Sequence, residues 1–208
     1  MPLPATSALP VPASTALPAV SPLSGLEGRH GNTPHSMADT IPDVIQPVSL
    51  ADYLEVLTRA VFQAGVRWNQ IAEHWDAYRK AFEDFDPGKV AAYDDIDVER
   101  VLATPGILKI GRKVRAVIHN ARALLETDRE FGGFANYLRS FESYAALAKD
   151  FKKRFAFMGD MNVWYFLFRT GETVPRFESW VKTIPGEHPR MREMVERARE
   201  LGRSRETG

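Results

Sequence analysis

From Ser49 onward the apolar positions of the chain recur at helical spacing almost without interruption. Leu50, Leu54, Leu57, Val61 and Ala64 fall on one face of a predicted helix. Ser49 caps its start with Asp52 as a capping-box partner, and Gly65 stops it. A next helix places Ile71, Trp75, Tyr78 and Phe82 on one face. Asp86-Pro87 joins a cap to a proline at the first helical position and starts a short helix to about Tyr93. Asp94 or Asp95 caps another through Leu102, and Pro105-Gly106 breaks the chain. Ile110, Val114, Val117, Ile118, Ala121, Leu124 and Leu125 then form the cleanest amphipathic stripe in the sequence, ending before Gly132-Gly133. That stripe predicts a central packed helix in an all-α domain.

Beyond it, Ser143 caps a helix carrying Leu147, Phe151 and Phe155, and a second helix runs through Trp164, Phe168 and Arg169 to Gly171. The short joint Ala156-Phe157-Met158-Gly159-Asp160 makes the pair either a plain αα-hairpin or a helix-hairpin-helix element. In the second case the glycine turn and the following helix N-terminus aim unpartnered backbone N–H groups at a nucleic-acid phosphate. Lys149, Lys152, Lys153 and Arg154 sit just upstream. His188-Pro189 begins a terminal helix of alternating Glu and Arg, which reads as a solvated face.

Residues 1–47 differ from this helical part. Met1 to Ser36 is rich in Pro, Ala and Ser, holds no aromatic residue, and has Arg29 as its only Lys or Arg. Such a segment buries too little apolar surface to offset the entropy of ordering, so a disordered tail is expected, with a start of translation at Met37 as the alternative to a functional tail. It lacks the apolar run of a secretory signal or a membrane span. A domain over about 48–201 and a flexible end over 202–208 complete the expected organisation.

With 27 basic and 27 acidic residues the net charge is zero, which argues against bulk adhesion to nucleic acid and leaves room for a local basic face. The chain has no cysteine, which excludes disulfides, Cys-ligated zinc and a thiol nucleophile, with a reducing cytoplasm as the default compartment. No phosphate-binding Gly loop, nucleophile elbow or internal repeat is present.

An ordered set of segments carries more. Phe62-Gln63-Ala64-Gly65-Val66-Arg67-Trp68 is followed by Phe85-Asp86-Pro87-Gly88-Lys89-Val90-Ala91-Ala92-Tyr93, Asp97-Val98-Glu99-Arg100-Val101-Leu102 and Pro105-Gly106-Ile107-Leu108. Asn120-Ala121-Arg122-Ala123 and Tyr137-Leu138-Arg139-Ser140-Phe141 come next. In this order and spacing the chain resembles the DNA-3-methyladenine glycosylase I family, within the helix-hairpin-helix DNA glycosylase superfamily, over roughly Leu50 to Thr170.

The resemblance implies a monofunctional enzyme that hydrolyses the N-glycosidic bond of an alkylated purine in double-stranded DNA after base flipping. No cofactor and no membrane are expected, nor a metal, since the chain has no cysteine, and a monomer is expected. Trp68 matches the family tryptophan that stacks on the extruded base, with Gln63 beside it. Gly65 lies in the loop that approaches the DNA. Phe157, Gly159, Lys152 and Lys153 are the implied DNA-binding residues. Each has a plainer reading: Trp68 as a core aromatic, Gly65 as a helix-terminal glycine.

The chain also departs from the family. The glutamate that contacts the alkylated base, eight residues before the tryptophan, is Ala60 here. The Tyr-containing segment lining the base pocket has no counterpart in Met37 to Val48, which holds no aromatic residue. The family zinc, held by two Cys and two His, has no equivalent set. Glu178 is the nearest acidic residue to the place of the superfamily's catalytic aspartate, and it is expected to stabilise positive charge on the sugar. Asp160, at the phosphate end of the hairpin, is unfavourable for DNA. These departures keep open a second reading, a non-catalytic DNA-binding descendant of the fold.

Overall fold

The computed structural model describes residues 42–207, and the tail expected to be disordered falls outside that range up to residue 41. The described chain is helical, as the apolar periodicity requires. Helix α1 (Leu50–Gln63) begins at the expected capping box, in which Ser49 and Asp52 each accept from the other's backbone N–H. It buries Leu54, Leu57 and Val61 completely.

The single helix expected from Ile71 to Phe82 is instead two, α2 (Trp68–Ala72) and α3 (Trp75–Ala81). The break falls at Glu73-His74, where no glycine or proline signals it. The loop around Gly106 packs against that histidine: a Cβ at Gly106 would stand 3.1 Å from the His74 ring. Glu83, Asp84 and Phe85 follow with positive φ. Each such residue costs about 1–2 kcal/mol. The turn persists because Phe85 is fully buried, with its ring stacked on Trp75 at 5.4 Å.

Helices α4 (Pro87–Ala91) and α5 (Asp95–Ala103) start at Asp86 and Asp94, the latter through a second capping box with Asp97. Helix α6 (Gly111–Phe131) is the predicted central helix, packed against α1, α4 and α5. It ends at Gly132, whose φ of +64° places it in the left-handed region that glycine adopts without a Cβ clash. Helix α7 (Phe134–Arg139) turns back onto it.

The hairpin follows as α8 (Tyr144–Arg154), capped by Ser143, and α9 (Asp160–Arg169). All seven positions from Val163 to Arg169 are buried, which makes α9 the core of the domain rather than an amphipathic surface helix. Phe166 sits at its centre among Tyr53, Phe134 and Phe151.

Two stretches that the sequence pattern leaves outside the domain, one before α1 and one after residue 201, make contacts with it. Val44 is buried, Ile45 N donates to Arg169 O at 2.8 Å, and Arg169 Nε donates to Asp43 O at 2.6 Å. Strand β1 (Val174–Pro175) pairs in parallel with β2 (Glu206–Thr207), inside the stretch read as a flexible end. Between them lie α10 (Phe177–Trp180) and α11 (Pro189–Glu200). Arg199 joins this region: its guanidinium donates to Glu178 at 2.6 and 2.9 Å and to Glu206 at 2.8 and 2.9 Å.

Replacing Phe166 with Ala removes a ring that is 0 % exposed, and is expected to lower the unfolding free energy by about 3–5 kcal/mol in a denaturant titration. A second expectation concerns pH. Hydrogen bonds from Arg199 hold the Glu178 carboxyl at about 2, below the ordinary 4.5. Its folded form therefore favours the carboxylate, and the stabilisation is complete above about pH 5 and lost as pH falls toward 2. Because Glu178 is half exposed, the effect stays below about 1 kcal/mol. Glu178→Gln should lower the melting temperature slightly at pH 7 and converge on wild type as pH falls toward 2; a difference that does not shrink over that range would show that the pair is not its source.

Candidate base-binding cleft and hairpin

The loop after α1 is built by its backbone. Gly65 has φ +71°, and an added Cβ would meet nothing within 4 Å, so glycine is needed there for conformation and not for packing. The carbonyls at the end of α1 lack helical partners, and Lys113 from the first turn of α6 supplies them. Its Nζ donates to Phe62 O at 3.0 Å and to Ala64 O at 2.8 Å. Burial, with Arg112 nearby, pushes the Lys113 pKa down. The ammonium complements the negative end of the α1 dipole as well.

This loop forms one wall of a cleft of about 790 Å³. Ala60, Gln63, Gly65, Arg67 and Trp68 line that wall; Met161, Asn162 and Tyr165 of α9 line the second, and Glu187 to Met191 close the third. Trp68 stands edge-on to Tyr165, ring centroids 5.6 Å apart at 74°. Gln63 is only 4 % exposed, and among the described residues neither end of its amide has a partner. A buried amide without partners is costly, so this one marks a place of function or strain.

The hairpin joint is fixed in a similar way. Asn120 of α6, fully buried, accepts from Ala156 N at 2.7 Å and donates to Ala156 O at 3.2 Å. Phe157 adopts φ +60° with an exposed ring. Asn162 Nδ2 donates to Phe157 O at 2.7 Å and to Ala60 O at 3.4 Å, so one amide ties the hairpin joint to the wall of the cleft. Gly159 is the N-cap of α9 and offers no side-chain cap to the free N–H groups.

The positive charge upstream of the joint is largely matched. Lys152 pairs with Asp160 at 2.6 Å, and Arg154 with Glu130 at 2.6 Å and Asp150 at 2.7 Å. Lys149 and Lys153 are exposed and have no ionic partner among the described residues.

The structure thus gathers Gln63, Gly65 and Trp68 in one wall and places Phe157 and Gly159 at the hairpin joint. It does not bring Glu178 to them. Glu178 is absent from the cleft lining and pairs with Arg199 and Arg176 instead. The reason is geometric: β1 carries the chain beyond α9 toward β2, and α10 faces the C-terminal arginine. Sequence reasoning overlooked Lys113, Asn120, Asn162 and Tyr165. Asn120 lay inside a quoted motif, but nothing in the sequence tells a clamp on a remote loop from a surface amide. Tyr165 was hidden in an apolar run, where Arg169 one turn on was the available signal. No group of His, Asp and Glu suited to a metal occurs among the described residues, nor does a helix long and apolar enough to cross a membrane.

A family model described as methyladenine glycosylase matches residues 47–158 of the 208. The chain is similar to DNA-3-methyladenine glycosylase 1 of Escherichia coli, 38% identical over 82 residues, which are 39% of this chain and 44% of that one. It is similar to DNA-3-methyladenine glycosylase of Haemophilus influenzae, 28% identical over 88 residues, 42% of this chain and 48% of that one. The match spans less than half the length of either relative. A solved 3-methyladenine DNA glycosylase I in complex with 3-methyladenine aligns with TM-score 0.56 and 25% identity over 64% of this chain and 83% of that chain. The all-α glycosylase fold expected from the sequence is therefore the fold observed. With the matched segment covering more than half of the residues, the chain belongs to the methyladenine glycosylase family.

Proposed function

We propose that the protein is a DNA glycosylase that hydrolyses the N-glycosidic bond of an alkylated purine, of the 3-methyladenine type, in duplex DNA after the base is turned out of the stack. One observation carries the reading: Trp68 lines a cleft large enough for a purine, and Asn162 ties its wall directly to the hairpin joint. A backbone held at the joint therefore sits at a fixed distance from a base held at the tryptophan.

The residues divide the work. Trp68 supplies a π-face for the extruded base, Gln63 an amide at its edge, and Gly65 an approach for the loop to the DNA left behind. At the joint, Gly159 has an ordinary φ of −68°, and a Cβ there would meet nothing within 4 Å. The fold does not require a glycine at that position. Close approach of a phosphate to the α9 N-terminus does account for it. Lys153 adds charge, and Lys152 does so only as far as Asp160 leaves it free.

The chemistry fits a base that is already a good leaving group. In a cationic alkylated purine nucleotide the C1′–N bond breaks with its electron pair passing to the base, which departs neutral. Water then bonds to C1′ and releases one proton to solvent. The leaving group's charge supplies most of the driving force, so Ala60 in place of a carboxylate and Glu178 outside the cleft are compatible with turnover. No lysine lines the cleft, and Lys113 is held by two carbonyls, which supports hydrolysis without a Schiff base.

The missing carboxylate favours one second reading, a DNA-binding descendant that no longer excises bases. Release of free base from methylated duplex DNA separates the two. Wild-type protein is expected to release it, and Trp68→Ala to slow release about ten- to a hundredfold, since stacking on one aromatic ring is worth about 1–3 kcal/mol per base. Duplex binding without any release would instead establish the second reading. A further expectation is that Gly159→Ala keeps the melting temperature, with a cost within about 1 kcal/mol at an N-cap, yet weakens duplex binding several-fold in a fluorescence-anisotropy titration. Unchanged affinity would place the DNA backbone elsewhere.

A further inference from the structure

Behind the cleft wall, buried polar groups are left in an unusual state. Arg59 and Gln63 lie one turn apart on α1, and Tyr165 and Arg169 one turn apart on α9. Among the described residues Arg59 Nε and both ends of the Gln63 amide have no hydrogen-bond partner. Leaving a buried polar group unpaired costs about 1–3 kcal/mol, and a set of them beside one cleft points to a ligand that completes them.

Tyr165 is the best defined of the four. It is 2 % exposed and lines the cleft. Its hydroxyl accepts from Arg169 Nη1 at 2.7 Å, and Arg169 is fixed in turn through Nε to Asp43 O at 2.6 Å. The phenol's lone pair is thus engaged by a cation, while among the described residues no acceptor takes its proton. A hydroxyl polarised in that way is a stronger donor than a free one. Burial lowers the Arg59 pKa to about 10, and its one carboxylate contact among the described residues, Glu55 at 3.9 Å, is a long one. A hydroxyl whose proton has no acceptor among the described residues, with Ala60 in place of an acid, calls for an acceptor on the ligand.

We propose that Tyr165 is the specificity-determining residue of the cleft, donating its phenolic hydrogen bond to an unprotonated ring nitrogen of the bound purine, with Arg169 as the positioning residue that orients the hydroxyl. This rests on reading the cleft as the seat of an extruded base. The ligand class follows: a purine that keeps a ring-nitrogen acceptor on the edge facing α9. Trp68 takes the face of the base and Tyr165 reads its edge, the two side chains already standing edge-to-face.

The test uses the full chain and free bases: 3-methyladenine and its 1-deaza and 7-deaza analogues, in each of which one ring nitrogen is replaced by CH. Binding is followed by tryptophan fluorescence and calorimetry. Wild type is expected to bind the parent base about tenfold more tightly than one of the two analogues, the worth of one well-placed hydrogen bond. Tyr165→Phe keeps the ring and its contact with Trp68, so it should fold and bind all three bases alike. Arg169→Met should reduce the discrimination, and Trp68→Ala should weaken all three equally. Discrimination that persists in Tyr165→Phe, or is absent from wild type, overturns the assignment of Tyr165 while leaving the cleft as a base site. Failure of folded wild-type protein to bind any of the three overturns that reading and the assignment together.

Discussion

Buried peptide groups must find partners, and here the loops that matter are paired by side chains of one helix. Lys113 of α6 closes the carbonyl end of α1, Asn120 holds both polar groups of Ala156, and Arg122 donates to Ala91 O and Tyr93 O at 2.7 and 3.2 Å. Three irregular segments, distant in sequence, are thereby referred to a single rigid rod. Two of them form the tryptophan wall and the hairpin joint. Their relative position is set by spacing along α6, which a 21-residue helix keeps more strictly than a loop can.

Much of this architecture was legible in the sequence because its signals are local. Ser49, Asp86, Asp94 and Ser143 cap the helices they were expected to cap, and the stripe from Ile110 to Leu125 marks α6. What escaped was set by contacts across the chain. The break at His74 sits against Gly106, some thirty residues on, and Asp43 and Ile45 are hydrogen-bonded to Arg169. The site divides in the same way. Gln63, Gly65 and Trp68 are contiguous and could be read together, whereas Tyr165 joins them only through folding. Glu178 was placed by counting along the chain, and counting does not see an ion pair formed with Arg199.

Net charge also conceals an internal arrangement. Lys152, Arg154 and Arg199, which look in the sequence like basic surface, each face a carboxylate within 2.8 Å. Such exposed pairs add little stability, but they remove much of the long-range attraction a polyanion would feel. Under the proposed function, a phosphate would be held through oriented N–H groups at a helix start more than through bulk charge. That mode depends on close, well-aligned contact and is less easily screened by salt.

The amide of Asn162 has a wider implication. Because it touches the hairpin joint and the α1 wall at once, the distance between the joint and the cleft behaves as a caliper of fixed opening. A caliper does not adapt to what it measures. If the cleft takes an extruded base as proposed, sorting damaged from normal nucleotides falls on the DNA, through how readily each base leaves its neighbours to reach a gauge that is already set.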